Sequence, residues 1–137
     1  MNKTVNITVE KYKDGTFWGT TQNIPGVVTA YGSTLSELKE NITIAYYDYY
    51  ELAKDLKEDF LDDLSENPVF IYNLDLKSVF ELLPEIKISN IADKAGINSS
   101  LLRQYKTGKK NASEEQANKI LHALHTLGKE LLSVSFN

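Results

Sequence analysis

The sequence predicts an α+β protein with two domains, a sheet with one long helix followed by an all-α domain. Three observations predict it. Four short segments before residue 77 have strand patterns, one long segment among them has helical spacing, and helical signals dominate after residue 77. A chain of 137 residues can hold two small domains. We therefore predict domains at residues 1–77 and 78–137.

Three strands are predicted at the start of the chain. Residues 5–9 alternate apolar and polar side chains, the period of a strand with one buried face. Asp14-Gly15 supplies the positive φ angles that a tight hairpin turn requires, so residues 17–21 should return antiparallel. Pro25-Gly26 interrupts the ladder, and residues 27–31 then form a third strand.

A long amphipathic helix is predicted next. Thr34 and Glu37 have the spacing of a capping box, and residues 55–66 should continue the helix as an acidic, solvent-exposed end. Pro68 stops the helix, and the alternation over residues 69–76 predicts a fourth strand. The apolar stripe covers about six turns and consists of Leu35, Leu38, Ile42, Ala45, Tyr49, Leu52 and Leu56. The predicted order is β-β-β-α-β, with the helix covering one face of the sheet.

The helix carries four clustered tyrosines, at positions 46, 47, 49 and 50. Clustered aromatic rings can stack on RNA bases. At helical spacing, however, these four point to several sides, and tyrosine covers apolar area while its hydroxyl stays hydrated. We expect them to pack in the core and at interfaces.

The composition argues against several function classes. The chain has no cysteine, which excludes disulfides, thiolate catalysis and thiolate-bound metals. It has only two histidines, His122 and His125, which we expect to be structural, so no metal site and no cofactor are predicted. No phosphate-binding or nucleophile motif is present, and Glu10 and Asp75 alone are a weak catalytic pair, so an enzyme is not expected. No stretch resembles a signal peptide or a membrane span, which predicts a cytoplasmic protein that does not bind a membrane.

The formal net charge of −4 hides an uneven distribution. Residues 1–77 carry seven lysines and thirteen acidic residues, a net charge of −6, whereas residues 78–137 carry eight basic and six acidic residues, a net charge of +2. Between positions 87 and 110, six basic residues face only Asp93, a local charge of +5. This asymmetry indicates that one half binds a polyanion and the other does not.

The strongest local motif is a helix-turn-helix between Ile88 and Thr107. Such a motif needs a small residue where two helices cross and a glycine in the turn, and Ala92 and Gly96 meet these needs. The local charge of +5 disfavours the alternative, a helical hairpin with no role in nucleic-acid binding. The residues expected to fill the core beneath both helices are Ile91, Ala95, Ile97, Leu102 and Tyr105.

The second helix of this motif should present its outer face to the major groove of DNA. It is expected to begin near Ser99, with Asn98 as its N-cap. Its serines, arginine and glutamine suit base edges, whereas the lysines around Gly108 can neutralise phosphates without reading sequence. The candidate DNA-binding residues are Asn98, Ser99, Ser100, Arg103, Gln104, Lys106, Lys109 and Lys110.

A last helix is predicted after its N-cap, Ser113. Its apolar stripe, formed by Ile120, Leu124, Leu127 and Leu131, is too long for a small domain to bury. We therefore expect part of this helix, with residues 133–136 as a short strand, to join a second copy. Operators are usually bound by two helix-turn-helix domains, one from each copy of the protein. A homodimer is therefore predicted, with a tetramer as the alternative.

Residues 23–38, Asn-Ile-Pro-Gly-Val-Val-Thr-Ala-Tyr-Gly-Ser-Thr-Leu-Ser-Glu-Leu, run into the long helix after two strands. This segment resembles the HicB antitoxin family, in which a Pro-Gly stretch and a later Gly and Thr precede a helix. The resemblance covers most of residues 3–76. The C-terminal part looks like the Xre/Cro-type helix-turn-helix that many HicB-like proteins append.

The resemblance implies a truncated RNase H-like domain without catalytic residues, which masks a small mRNA-cleaving toxin of the HicA type. The C-terminal domain would bind operator DNA and repress its own operon. A toxin that grips RNA must be basic, and an acidic domain complements it. The candidate toxin-binding residues are Asp55, Glu58, Asp59, Asp62 and Asp63. The alternative is a free-standing transcriptional regulator whose N-terminal domain senses a small molecule.

Overall fold

A computed structural model describes residues 3–137, and the chain divides into two compact units, Met1–Leu74 and Asp75–Asn137. The first unit contains β1 (Thr4–Lys11), β2 (Phe17–Thr21), β3 (Thr29–Gly32), α1 (Leu35–Asp55), a 3-10 turn (Leu61–Asp63) and β4 (Val69–Asn73). The second contains α2 (Leu76–Leu82), α3 (Ile88–Ala95), α4 (Ser99–Thr107) and α5 (Glu114–Leu132). The predicted α+β class and the order β-β-β-α-β are confirmed.

The four strands form one mixed sheet in the order β3-β2-β1-β4. β1 pairs antiparallel with β2 and parallel with β4, and β2 pairs antiparallel with β3. The inward residues of β1 are buried beneath α1, as the alternation predicted. Gly32 has a steric role, because a Cβ there would lie 2.6 Å from the backbone nitrogen of Leu38. Glycine therefore lets the start of α1 approach the edge of the sheet.

The hairpin between β1 and β2 differs in detail from the prediction. Only Gly15 has a positive φ, +87°, so the expectation that Asp14 also adopts one was wrong. The chain makes a longer turn, in which Gly15 N–H donates to the Tyr12 carbonyl and Tyr12 N–H donates to the Thr16 carbonyl. Asp14 fixes this turn through its side chain, which accepts hydrogen bonds from both the N–H and the hydroxyl of Thr16.

β3 begins two residues later than predicted, at Thr29, and ends one residue later, at Gly32. Val28 still bonds to β2, because its N–H donates to the Thr21 hydroxyl and its carbonyl accepts from Thr21 N–H. Val27 stays exposed just after the turn at Gly26, where φ is +74°. The Pro25-Gly26 turn therefore shortens the regular ladder.

The N-terminus of α1 matches the prediction. Thr34 is the N-cap and accepts a hydrogen bond from Glu37 N–H. The buried face differs near the end of the helix, because Leu52 and Leu56 are exposed whereas Ala53 is buried. Here Ala53 is covered as the chain folds back, and its carbonyl accepts from Glu58 N–H.

Two of the tyrosines pack their rings against the first unit, as expected, but their hydroxyls bond to backbone carbonyls, whereas hydrated hydroxyls were predicted. Tyr46 is fully buried and donates to the Ser65 carbonyl at 2.6 Å. Burial raises the pKa of the Tyr46 hydroxyl above its ordinary value, although this hydrogen bond opposes the shift. Tyr49 donates to the Pro25 carbonyl at 2.7 Å and stacks on Phe60. These tyrosines hold the segments before and after α1 against the helix.

The acidic segment after α1 is exposed as predicted, but the prediction that it continues the helix was wrong. α1 ends at Asp55, and Lys57 adopts a left-handed conformation with φ +52°. Acidic residues at spacings of three and four repel each other along a helix, and carboxylates oppose the negative end of its dipole. The chain therefore leaves the helix and makes the 3-10 turn Leu61–Asp63.

The predicted fourth strand is too long. β4 ends at Asn73, because Asp75 is the N-cap of α2 and accepts a hydrogen bond from Ser78 N–H at 2.7 Å. The sequence interpretation missed α2 and placed the domain boundary three residues later than the division between the two units. Leu76 accordingly belongs to a helix in the second unit, where it packs against the core.

The second unit packs around a single apolar cluster. Ile120 is fully buried, and Leu124 and Leu127 pack partly against the cluster, whereas Leu131 is exposed. Residues 133–136, predicted as a strand, form no strand in this chain. Within residues 3–137, no helix combines the length and apolarity needed to cross a membrane. The buried members of the cluster are Phe80, Ile91, Ala92, Ile97, Leu102, Tyr105, Ile120 and Ala123.

Candidate functional site

The turn between α3 and α4 is built as the sequence predicted. Gly96 ends α3 in a left-handed conformation with φ +71°, which favours glycine although its surroundings leave space for a side chain. Ile97 N–H donates back to the Ala92 carbonyl at 2.9 Å. Asn98 then caps α4, its side-chain oxygen accepting from the N–H groups of Ser100 and Leu101. The turn thus has only three residues.

The core beneath this turn fixes the two helices against each other. Ala92, the predicted crossing residue, is fully buried, as is Leu102 on α4. Ile91, Ile97 and Tyr105 are also buried, whereas Ala95 is only partly buried. The small side chain of Ala92 permits close approach of the helices. The predicted core of the α3–α4 pair is therefore confirmed, with Ala95 at its edge.

The opposite side of α4 carries polar side chains that face solvent. Ser100 and Arg103 are exposed, and Ser99 and Gln104 are half-buried. Positions three and four apart lie on one side of a helix, so Ser100, Arg103 and Gln104 form a continuous stripe. The structure thus brings the predicted base-reading residues together on one face of α4, and Asn98 holds its first turn.

A group of exposed lysines lies at the other end of α4. Lys106 is in its last turn, and Lys109 and Lys110 follow Gly108, which ends the helix with φ +80°. Lys110 N–H donates to the Gln104 carbonyl at 3.2 Å, so this segment folds back along α4. Cations at the C-terminal end of a helix are favoured by its dipole.

Lys77 joins this lysine group although the sequence interpretation assigned it to the other domain. The side chain of Lys77, which follows Leu76 in the first turn of α2, passes 3.6 Å from the position that a Cβ on Gly108 would occupy. Lys77 is exposed and lies 31 positions before Gly108 in the chain. No local pattern could have shown this proximity, because it arises from the packing of α2 beside α4. We define the lysine group as Lys77, Lys106, Lys109 and Lys110.

One lysine of the basic window has a different role. Lys94 Nζ lies 2.5 Å from a carboxylate oxygen of Glu130, so it links α3 to α5. Both side chains are substantially exposed, so this ion pair contributes little to stability. Because Glu130 offsets its charge, Lys94 adds less to the local positive field than the window of +5 implied.

Searches against models of known protein families, curated proteins and solved structures found no match. The chain's own geometry and charge therefore carry the functional interpretation.

The acidic segment of the first unit is a second exposed charged surface. Phe60 and Leu64 turn inwards, Phe60 stacking on Tyr49 and Leu64 being buried. Lys3 Nζ donates to the backbone carbonyl of Asp62 at 2.9 Å. The carboxylates themselves face solvent, at Asp55, Glu58, Asp59, Asp62 and Asp63. The candidate toxin-binding residues thus lie at the end of α1 and on the segment after it, which its apolar members hold in place.

The remaining chemical candidates are distributed over the two units. Glu10 lies on β1 in the first unit, whereas Asp75 caps α2 in the second. His122 and His125 are exposed on α5. Among residues 3–137, no group of three or more histidine or acidic side chains could hold a metal ion.

Proposed function

We propose that this chain is a HicB-type antitoxin. Its first unit binds and masks a small basic toxin of the HicA class, which cleaves mRNA, and its α3–α4 pair binds operator DNA in the cytoplasm and represses transcription of the pair. The observation that carries this proposal is that the charge division coincides with the division between units. Residues 1–74 carry six lysines and twelve acidic residues, a net charge of −6, and all twelve acidic side chains are exposed.

The DNA-binding half of the proposal is supported by α3 and α4. A three-residue turn, a buried alanine at the crossing and a polar outer stripe suit a helix-turn-helix, in which the second helix enters the major groove. Arg103 suits the O6 and N7 atoms of guanine, and Gln104 suits adenine. The lysine group then neutralises flanking phosphates and sets the dependence of binding on salt.

A homodimer is part of the proposal, since an operator with two half-sites is read by two copies. Leu132 and Phe136, at the end of α5 and beyond it, are 90% and 96% exposed. Leu131 and Val134 extend this apolar surface. A surface of this kind is typical of an interface between chains. We propose that it pairs with the same surface of a second copy.

The toxin-binding half is supported by electrostatics. A protein that grips RNA is basic, and an acidic partner accelerates encounter and disfavours wrong partners. The same negative charge opposes RNA binding by the first unit. The order β-β-β-α-β agrees with the truncated RNase H-like domain that the family resemblance implies.

Co-expression tests this function. The full chain should restore growth when it is expressed with the small basic protein encoded by the adjacent reading frame. An Arg103→Ala variant should restore growth equally well, because that residue serves DNA binding. Continued growth arrest despite soluble expression of both chains would reject neutralisation. Retained binding to the upstream DNA in that case would instead favour a free-standing regulator.

A further inference from the structure

Three aromatic side chains line up on the face of the sheet opposite α1. Trp18 of β2 stacks on Tyr31 of β3, with ring centroids 4.7 Å apart, and on Tyr12, which follows β1, at 5.2 Å. We call these three residues the aromatic ladder. Tyr12 and Tyr31 are each 50% exposed. The proposed function uses none of these rings.

The three rings of the ladder are nearly parallel to each other and project from the sheet. Their centroid spacings are close to the roughly 4.7–4.9 Å between neighbouring strands, and their planes meet at only 22° and 25°. Both faces of Trp18 are therefore covered by tyrosine rings, and no nucleic-acid base can stack on it. Each tyrosine ring has one face left for a ligand, the face that is turned away from Trp18.

A chain of hydrogen bonds fixes the central ring. Trp18 Nε1 donates to the Thr16 hydroxyl at 3.1 Å, and this hydroxyl donates to Asp14 at 2.6 Å. The hydrogen bonds from the side chain and the backbone of Thr16 hold the pKa of the Asp14 carboxyl below its usual value. The ladder is thus held in place before any ligand binds, which lowers the entropic cost of binding.

A carboxylate completes the surface. Glu10 of β1 is directly opposite Trp18 in the antiparallel register, so both side chains lie on the open face of the sheet. Tyr12 lies on the same face, two residues further along the chain. Glu10 is exposed. An accessible carboxylate beside upright aromatic rings suits a guanidinium group, which can form two hydrogen bonds to the carboxylate and stack on a ring face.

We propose that the aromatic ladder and Glu10 form a docking surface for an arginine side chain of a basic protein partner. Charge complementarity selects this occupant, since Glu10 supplies a carboxylate on the open face and the unit as a whole, Lys11 and Lys13 beside the ladder included, carries a net charge of −6 that favours a cation and opposes a nucleic acid. Lysine fits less well, because its ammonium group cannot stack as a plane. This inference rests on the proposed function and deepens it, because it places the contact with the basic toxin at the ladder.

The ladder and the acidic segment lie at opposite ends of the sheet. The ladder gathers around the end of β1 and the start of β2, whereas Lys3, just before β1, bonds to the acidic segment at Asp62. β1 has eight residues, which corresponds to about 25 Å. Buried aromatic residues dominate the energetics of interfaces, whereas exposed charges mainly set association rates. The ladder therefore holds the partner, and the acidic segment attracts it.

The test titrates the full chain with the peptide acetyl-Gly-Arg-Gly-amide up to millimolar concentrations. Trp18 is the only tryptophan in the sequence, so its fluorescence and its indole N–H signal in NMR spectra report on the ladder. We expect a saturable change with this peptide, a weaker one with acetyl-Gly-Lys-Gly-amide, and none with oligouridylate. Glu10→Gln and Tyr12→Leu should each weaken arginine binding about two- to fivefold, because Tyr12 is the ring on the same strand side as Glu10.

Two control variants test the location. Ile71→Thr changes the same open face on β4, outside the ladder, and should leave the titration unchanged. Asp59→Asn, in the acidic segment, should do the same. Equal responses to both peptides, a response to oligouridylate, or no response at all would overturn the proposal. Growth rescue without any response of Trp18 to the arginine peptide would reject this inference alone. Arginine binding without growth rescue would reject the antitoxin function alone.

Discussion

The backbone N–H of Lys110 donates a hydrogen bond to the carbonyl oxygen of Gln104, over 3.2 Å. This bond turns the chain back at Gly108, so Lys109 and Lys110 stay at the C-terminal end of the helix that carries Arg103. Side chains suited to bases thus lie on α4, and side chains suited to phosphates lie in its last turn and just beyond it. Their roles should be separable by substitution.

Replacing Arg103 by Ala should relax sequence preference. Loss of a bidentate contact to guanine costs about 1–3 kcal/mol at the contacted base pair, while binding to unrelated DNA changes little. Lys109→Ala should weaken binding to all DNA similarly and reduce the salt slope by about one. Fluorescence anisotropy with matched and mutated duplexes at several salt concentrations measures both effects. Identical profiles for the two variants would contradict the assignment of roles.

Replacing Asn98 by Ala should destabilise α4. The side chain of Asn98 accepts two backbone hydrogen bonds in the first turn, and loss of an N-cap costs about 1 kcal/mol. Urea denaturation should show a correspondingly lower free energy of unfolding. Asn98→Asp should keep the cap and the stability but weaken DNA binding, because it places a negative charge near phosphates. Full stability in the alanine variant would show that the cap is dispensable.

Neutralising the acidic segment should slow association with the basic partner. The triple change Asp59→Asn, Asp62→Asn and Asp63→Asn should lower the association rate severalfold at low salt and leave dissociation nearly unchanged. Stopped-flow mixing with the adjacent basic protein measures both rates. The control neutralises three acidic residues of α1, Glu40, Asp48 and Glu51, and should have a smaller effect. A faster dissociation rate with unchanged association would show that the segment is a tight contact instead.

Tyr72 should make the protein less stable in alkali. Burial raises the pKa of Tyr72 to about 12, whereas an unfolded tyrosine titrates near 10. Between these values the unfolded state loses the proton and the folded state keeps it, so the free energy of unfolding falls as the pH rises. Denaturation at a series of pH values should show this slope, and Tyr72→Phe should reduce it. An unchanged slope in Tyr72→Phe would assign the effect to another tyrosine.

The patterns that succeeded are those set by short-range physics. The alternation in β1, the cap at Thr34 and the turn at Gly96 each depend on neighbouring residues, and the structure contains all three. The predicted continuation of the helix after Asp55 was wrong, because acidic residues at helical spacing repel each other. α2 was missed because Leu74 and Leu76 continue the strand alternation across the cap at Asp75.

The sequence predicted most residues of the candidate site, but it predicted their arrangement only within α4. The residues of α4 are local in sequence, so their common face followed from helical spacing. Lys77 reaches the lysine group only through the packing of α2, and Glu130 offsets Lys94 across two helices. The aromatic ladder depends on the register between β1, β2 and β3, which the alternation of single strands does not specify.

The most direct measurement is the affinity of the full chain for the duplex upstream of its own gene, compared with a scrambled duplex of equal length at physiological salt. We predict that the upstream duplex binds at least about a thousandfold more tightly, because specific recognition by base contacts adds to phosphate neutralisation. Affinities that fall as salt is raised would show that the lysine group contributes. Equal affinity for both duplexes, or no binding at low salt, would contradict the claim that α4 reads DNA.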